Sequence, residues 1–169
     1  DAYWFIRLGT FVERADNTAR LLDVKSQLIE PAFESLVPVN VPVESAPDFY
    51  AWSALLRSLS AFEAYHAVYR DSLDARRVTE LLILRADVPR SLRACCDEIR
   101  NILPQIEARS GDADAGRQVK RLAGQLALRL EHGAVDEILE LGVHDWLTRF
   151  LEESALLGDA IGEAYLEAN

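Results

Sequence analysis

The chain has no methionine, two cysteines, six prolines and eight glycines among 169 residues. With Asp at position 1 and no Met, the natural start is expected to lie upstream, together with any targeting signal. The cysteines, Cys95 and Cys96, are neighbours. On a helix they point about 100° apart and cannot readily bridge, so no disulfide framework is expected. They read as small residues at a helix–helix contact, and a reducing cytoplasm is the natural compartment. No apolar run approaches the roughly 20 residues of a membrane span, and no signal peptide is visible. Positive charge is also scarce. Eighteen Lys and Arg stand against 28 Asp and Glu, a net −10, which argues against a nucleic-acid or anionic-membrane partner.

The excess acid is unevenly spread. From Glu131 to the C-terminus there are ten acids and one base, Arg149, leaving 18 acids against 17 bases in residues 1–130. Such a segment serves as a solvated face or as a docking surface for a basic partner. Asp145, Glu152, Asp159 and Glu163 are the candidate docking residues.

What is abundant is Leu, Ala, Glu and Arg, in a sequence that is 50% hydrophobic. That composition favours helix and supplies a sizeable core. Helical periodicity dominates, and no convincing strand alternation is present. Residues 1–169 are expected to form one all-α domain, a bundle of about six or seven helices with a long N-terminal helix. That helix covers 2–30, roughly 43 Å long, with Pro31 placed to bend or end it. A proline-rich linker at about 37–47 follows. Further helices are expected over about 48–69, 75–85, from the 86–92 region to 109 with a kink at Pro104, through 130, and from 135 to 167 with a break at Gly142. Asp87 is the candidate N-cap of the fourth helix, with Pro89 in its first turn, and Asp112 or Asp114 of the fifth. In the last helix Ser154, Gly158 and Gly162 fall four apart, where another helix can approach closely.

The first helix carries the most unusual pattern, "FVERADNTARLLDV". On a helical wheel Trp4, Leu8, Phe11, Ala15, Ala19, Leu22 and Ile29 form an apolar arc. Opposite lie Glu13, Asp16, Asn17 and Arg20, with Ile6, Leu21, Val24 and Leu28 beside them. A third strip holds Arg7, Arg14, Thr18 and Lys25. Apolar residues on two sides imply packing around most of the helix, which would leave some charges partly buried and in need of partners. Asp16 can reach Arg20, and Glu13 can reach Asn17, at i+4. Glu13, Arg14, Asn17, Arg20 and Arg7 are therefore either a structural network that sets the bundle's register or the lining of a ligand site.

Three weaker constellations remain. "VPRSLR" places Arg90 and Arg93 at a helix start, where free N–H groups favour anions, with Asp97 available to Arg93. "FEAYH" sets Glu63 and His66 at i, i+3. Ferritin-like metal sites use two such motifs and two further glutamates, and only one motif is present. His144 has Glu140 at i−4. No glycine-rich phosphate loop, nucleophile elbow or HExxH occurs, and no cofactor is expected.

The strings "WFIRLGTFVERADNTARLLDV", "VPRSLRACCDEI" and "VDEILELGVHDWLTRFLEESALLGDAI" together resemble the bacterial alpha-E domain family over nearly the whole chain. That family is named for its helical character and an E-R motif, carried here by Glu13 and Arg14. Many members have a Trp-Leu-Gly-Arg run ahead of the motif. Here the corresponding residues are Arg7-Leu8-Gly9-Thr10, so the arginine is absent at Thr10 and Arg7, one turn earlier, is the available substitute. The resemblance implies company rather than an activity: ATP-grasp-type ligases and transglutaminase-like proteins, in peptide or amide-bond metabolism. The expected function is a non-catalytic accessory module that binds such a partner. The alternatives are a ligand-binding or catalytic subunit using a Glu/Arg cleft and a metal-binding bundle. A homo-oligomer stays open.

Overall fold

The structure, a computed structural model, describes residues 2–33, 47–70, 73–110 and 116–165, of which 28–33, 47–48 and 109–110 are described by backbone alone. The proline-rich segment between 37 and 46 and the candidate caps Asp112 and Asp114 lie outside the described residues.

Among the described residues there are eight helices and no strand: α1 Ala2–Phe33, α2 Pro47–Ser58, α3 Phe62–Tyr69, α4 Ala75–Leu84, α5 Leu92–Ser110, α6 Gly116–His132, α7 Val135–Leu141 and α8 Val143–Tyr165. The four longest form a closed ring in which α1 packs on α5, α5 on α6, α6 on α8 and α8 back on α1. Each presents an apolar stripe to the interior: Leu8, Ala15, Ala19 and Leu22 from α1, Ile99, Ile102 and Ile106 from α5, Val119, Ala123 and Leu126 from α6, Leu147, Phe150 and Leu157 from α8. These recur at three-, four- and seven-residue intervals, the spacing that puts side chains on one helical face. The short helices join the same hydrophobic cluster through Leu55, Leu56, Tyr65, Leu81 and Leu82, with α4 touching α1, α2, α3, α5, α6 and α7.

Two expected helices differ in their bounds. The run expected over 48–69 is two helices, because the chain turns at Ser60 with φ +53°. Ser60 N–H donates to Arg57 O at 3.0 Å and Ala61 N–H to Leu56 O at 2.7 Å, the paired bonds of a Schellman stop, while Leu59 and Ala61 stay buried. Residues 85–91 form a turn, and Asp87 does not cap α5. Ser91 does: its Oγ accepts from Ala94 N–H at 3.0 Å. Asp87 instead accepts from Arg85 at 2.8 and 2.5 Å. Consequently Arg90 lies just before the helix and only Arg93 is in its first turn. Neither Pro31 nor Pro104 ends its helix, whereas Gly142, at φ +93°, does separate α7 from α8.

The close approach expected at Gly158 and Gly162 is not present, since a Cβ at either meets nothing within 4 Å among the described residues. Gly158→Ala is therefore expected to stabilise the chain by about 0.5–1 kcal/mol, through lower helix-forming entropy cost alone. A thermal melt should rise by about 1–4 °C. A lower melting temperature would reveal a close neighbour at that face, such as a second copy of the chain.

Candidate functional site

Arg7, Phe11, Arg14 and Thr18 follow one another at intervals of four, three and four, so they form one strip along α1. The strip faces α5 and the 85–91 turn. Thr18, fully buried, donates from Oγ1 to Arg90 O at 2.9 Å and ties the turn to α1. Ser91 Oγ closes the turn from the other side by donating to Arg85 O at 2.5 Å. Between them opens a cleft of about 340 Å³ lined by Arg7, Phe11 and Arg14 from α1, Ala86, Asp87 and Pro89 from the turn, and Ala94, Asp97 and Glu98 from α5.

The charges in this cleft are nearly all engaged. Arg7 Nη2 lies 2.6 Å from Glu98 Oε2 and its guanidinium stands 5.5 Å from the Phe11 ring centroid. Asp87 is held by Arg85, and Asp97 receives Arg100 at 3.2 Å and Arg93 at 3.9 Å. Arg14 is different. Its guanidinium stacks 4.9 Å from the centroid of the same Phe11 ring and its Nη1 reaches Pro89 O only at 3.5 Å. It has no carboxylate partner among the described residues. The Arg85 contact holds the Asp87 carboxyl below the usual carboxylate range, so that acid stays ionised. Cys95 lies beneath the turn, with its Sγ 3.9 Å from Pro89 O. Burial pushes its thiol up to about 11, an effect partly offset by Arg14 and Arg90. Cys96 is raised further by burial, so neither thiol is a nucleophile near neutral pH.

The other sequence candidates separate from this cleft. Glu13, Asn17 and Arg20 are exposed, and none lines it. Arg20 pairs with Asp16 at 2.7 Å, whereas Glu13 makes no hydrogen bond or ion pair among the described residues. The expected buried network is thus corrected: a step of about 100° between neighbours sends Arg14 into the cleft and Glu13 outward. The reason is that Ile6 and Val24, read as a second packing side, are 68% and 55% exposed. Arg90 is half-buried and in no ion pair among the described residues, while Arg93 Nε lies 3.9 Å from Asp97 and is buried without a hydrogen bond among the described residues.

Glu63 and His66 share α3, where His66 sits edge-on to Phe62 at 4.5 Å. No group of three His, Cys, Asp or Glu side chains able to hold a metal occurs among the described residues. His144 reaches Asp23 of α1, Nδ1 to Oδ1 at 2.7 Å, with Gln27 Nε2 2.7 Å from the same nitrogen. Asp145, Glu152, Asp159 and Glu163 are all exposed on α8. No described helix is long and apolar enough to cross a membrane.

Sequence reading did not find Glu98 as a partner of Arg7, 91 positions away. It also missed Ser91 as the cap. The strip was readable for Arg7, Arg14 and Thr18, which share a side by spacing alone, but the wheel assigns Phe11 to the adjacent apolar arc.

A family model described as a predicted alpha-helical domain with a conserved ER motif matches residues 1–166. The only Glu-Arg dipeptide in the chain is Glu13–Arg14. No curated protein and no solved structure matches the chain.

Proposed function

The chain belongs to the Alpha-E family, and from that premise we propose that it is a non-catalytic helical module that docks on a partner enzyme through α8. The partner is an ATP-grasp-type ligase, working with a transglutaminase-like protein in bacterial peptide or amide-bond metabolism, as the resemblance of the helical strings implies. The supporting observation is the outer face of α8. Asp145, Glu152 and Asp159 recur every seven residues, Glu163 follows four later, and Leu156 stands among them 56% exposed. Only Arg149 interrupts the acids of this strip. None of the four acids is in an ion pair among the described residues, in contrast to Glu153, which pairs with Arg129. An unneutralised acidic strip with an apolar centre matches a basic groove and steers its approach.

The test is a pull-down with an ATP-grasp-type ligase as prey, at low and high salt. The triple variant Glu152→Lys, Asp159→Lys, Glu163→Lys should lose capture, and native capture should weaken as salt rises. Binding that is indifferent to salt and to these reversals would refute the acidic-face reading.

A further inference from the structure

The cleft between α1 and the 85–91 turn is electrostatically incomplete at one point. Its three acids each have an arginine: Glu98 has Arg7, Asp87 has Arg85, and Asp97 has Arg100 and Arg93. Arg14 alone among the lining charges has no counter-ion within the described residues, and it is half-buried. A guanidinium does not shed its proton, so partial burial leaves a charge whose natural partner is an anion. Its position is already set, because the Phe11 ring supports one face of the group at 4.9 Å. A supported planar fork with free N–H groups suits a carboxylate, which it can bind with two parallel hydrogen bonds.

The acids in the same cleft narrow the ligand further. A phosphate dianion would find no further free donor beside Arg14 among the described residues, because the arginines near Asp87, Asp97 and Glu98 are already engaged by those acids. A molecule carrying an ammonium as well as a carboxylate would use them instead. Each carboxylate has about four lone-pair sites, so Glu98 and Asp97 can accept from an ammonium while keeping their arginines. Between the two poles Phe11, Pro89, Ala86 and Ala94 offer apolar surface for a small side chain. The volume of about 340 Å³ is at the small end of the roughly 300–1,000 Å³ usual for ligand pockets, the scale of an amino acid or dipeptide.

We propose that this cleft binds a zwitterionic amino acid or dipeptide, with its carboxylate on Arg14 and its ammonium against Glu98 and Asp97. The site shares no residue with the acidic strip of α8, so it stands or falls separately from partner docking. The experiment is a calorimetric titration of the full chain with dialanine, its C-terminal amide, its N-acetyl form and inorganic phosphate. Dialanine should bind saturably. The amide and the N-acetyl form should each bind about 10-fold more weakly or worse, because each removes one charge-assisted contact. Phosphate should bind more weakly than dialanine. Arg14→Ala should lose dialanine binding, and Arg14→Lys, which keeps the charge but not the fork, should weaken it about 10-fold. If Arg14→Ala fails to fold, Arg14→Lys decides. Absence of saturable binding to the native chain, equal binding of dialanine and its amide, tighter binding of phosphate, or undiminished binding by Arg14→Lys would each overturn the proposal.

Discussion

Phe150→Ala is expected to destabilise the chain by about 3–5 kcal/mol, the range for emptying a buried aromatic site. Phe150 lies on α8, 1% exposed, inside the ring of α1, α5, α6 and α8. It also stacks on Trp146, with centroids 5.9 Å apart and planes 7° from parallel, a pairing that adds about 0.5–1.5 kcal/mol beyond area burial. Helices on either side carry their own core residues and are not free to close the cavity. Against a total stability of about 5–15 kcal/mol for a domain, this loss is a large share. The melting temperature should fall by about 6–20 °C, with helical circular dichroism retained in the cold. A shift of only a degree or two would mean that α8 does not complete the core.

The second large effect is expected from a smaller change, Ser91→Ala. Ser91 is fully buried, and one hydroxyl serves two backbone groups. It accepts from Ala94 N–H at 3.0 Å and donates to Arg85 O at 2.5 Å. Alanine removes the N-cap, worth about 1 kcal/mol. It also removes the shorter of the two bonds to the Arg85 carbonyl, which keeps only Val88 N–H at 3.4 Å, a further cost of about 1 kcal/mol. The loss falls on the turn that forms one wall of the Arg14 cleft, so stability and cleft shape should change together. Chemical denaturation should show a lower midpoint with an unchanged slope. Ser91→Thr retains a hydroxyl and should recover much of the loss, and failure of the hydroxyl to matter would return the capping role to another residue.

The all-α architecture was legible because helical periodicity runs through nearly every segment and the four long apolar stripes need one another. The break at Ser60 was not, because serine carries no specific signal for a left-handed turn; the stop is made by Leu59 and Ala61 packing inward. "ADVPRSL" offers two cap-competent residues, and only the tertiary bond from Ser91 to Arg85 O selects between them. On α1 the spacing placed Arg7, Arg14 and Thr18 on one strip but assigned Phe11 to the neighbouring apolar arc, whereas Phe11 lines the cleft between Arg7 and Arg14. Where the wheel misled was the opposite side, since Ile6 and Val24 look like packing residues yet lie exposed. That single difference moves Glu13, Asn17 and Arg20 from an interior network to the surface. Glu98 could not be read as Arg7's partner, because nothing local marks a contact spanning 91 positions.

The central claim is that the Glu13–Arg14 motif is displayed rather than buried, with Arg14 in an open cleft and Glu13 turned to solvent. The most direct measurement is the thermal melt of Arg14→Ala beside that of Ser91→Ala. Arg14→Ala should melt within about 3 °C of the native chain, as substitutions outside the core do, while Ser91→Ala falls well below it. A loss at Arg14 equal to or greater than that at Ser91 would show that the arginine holds the bundle together, and would contradict the account.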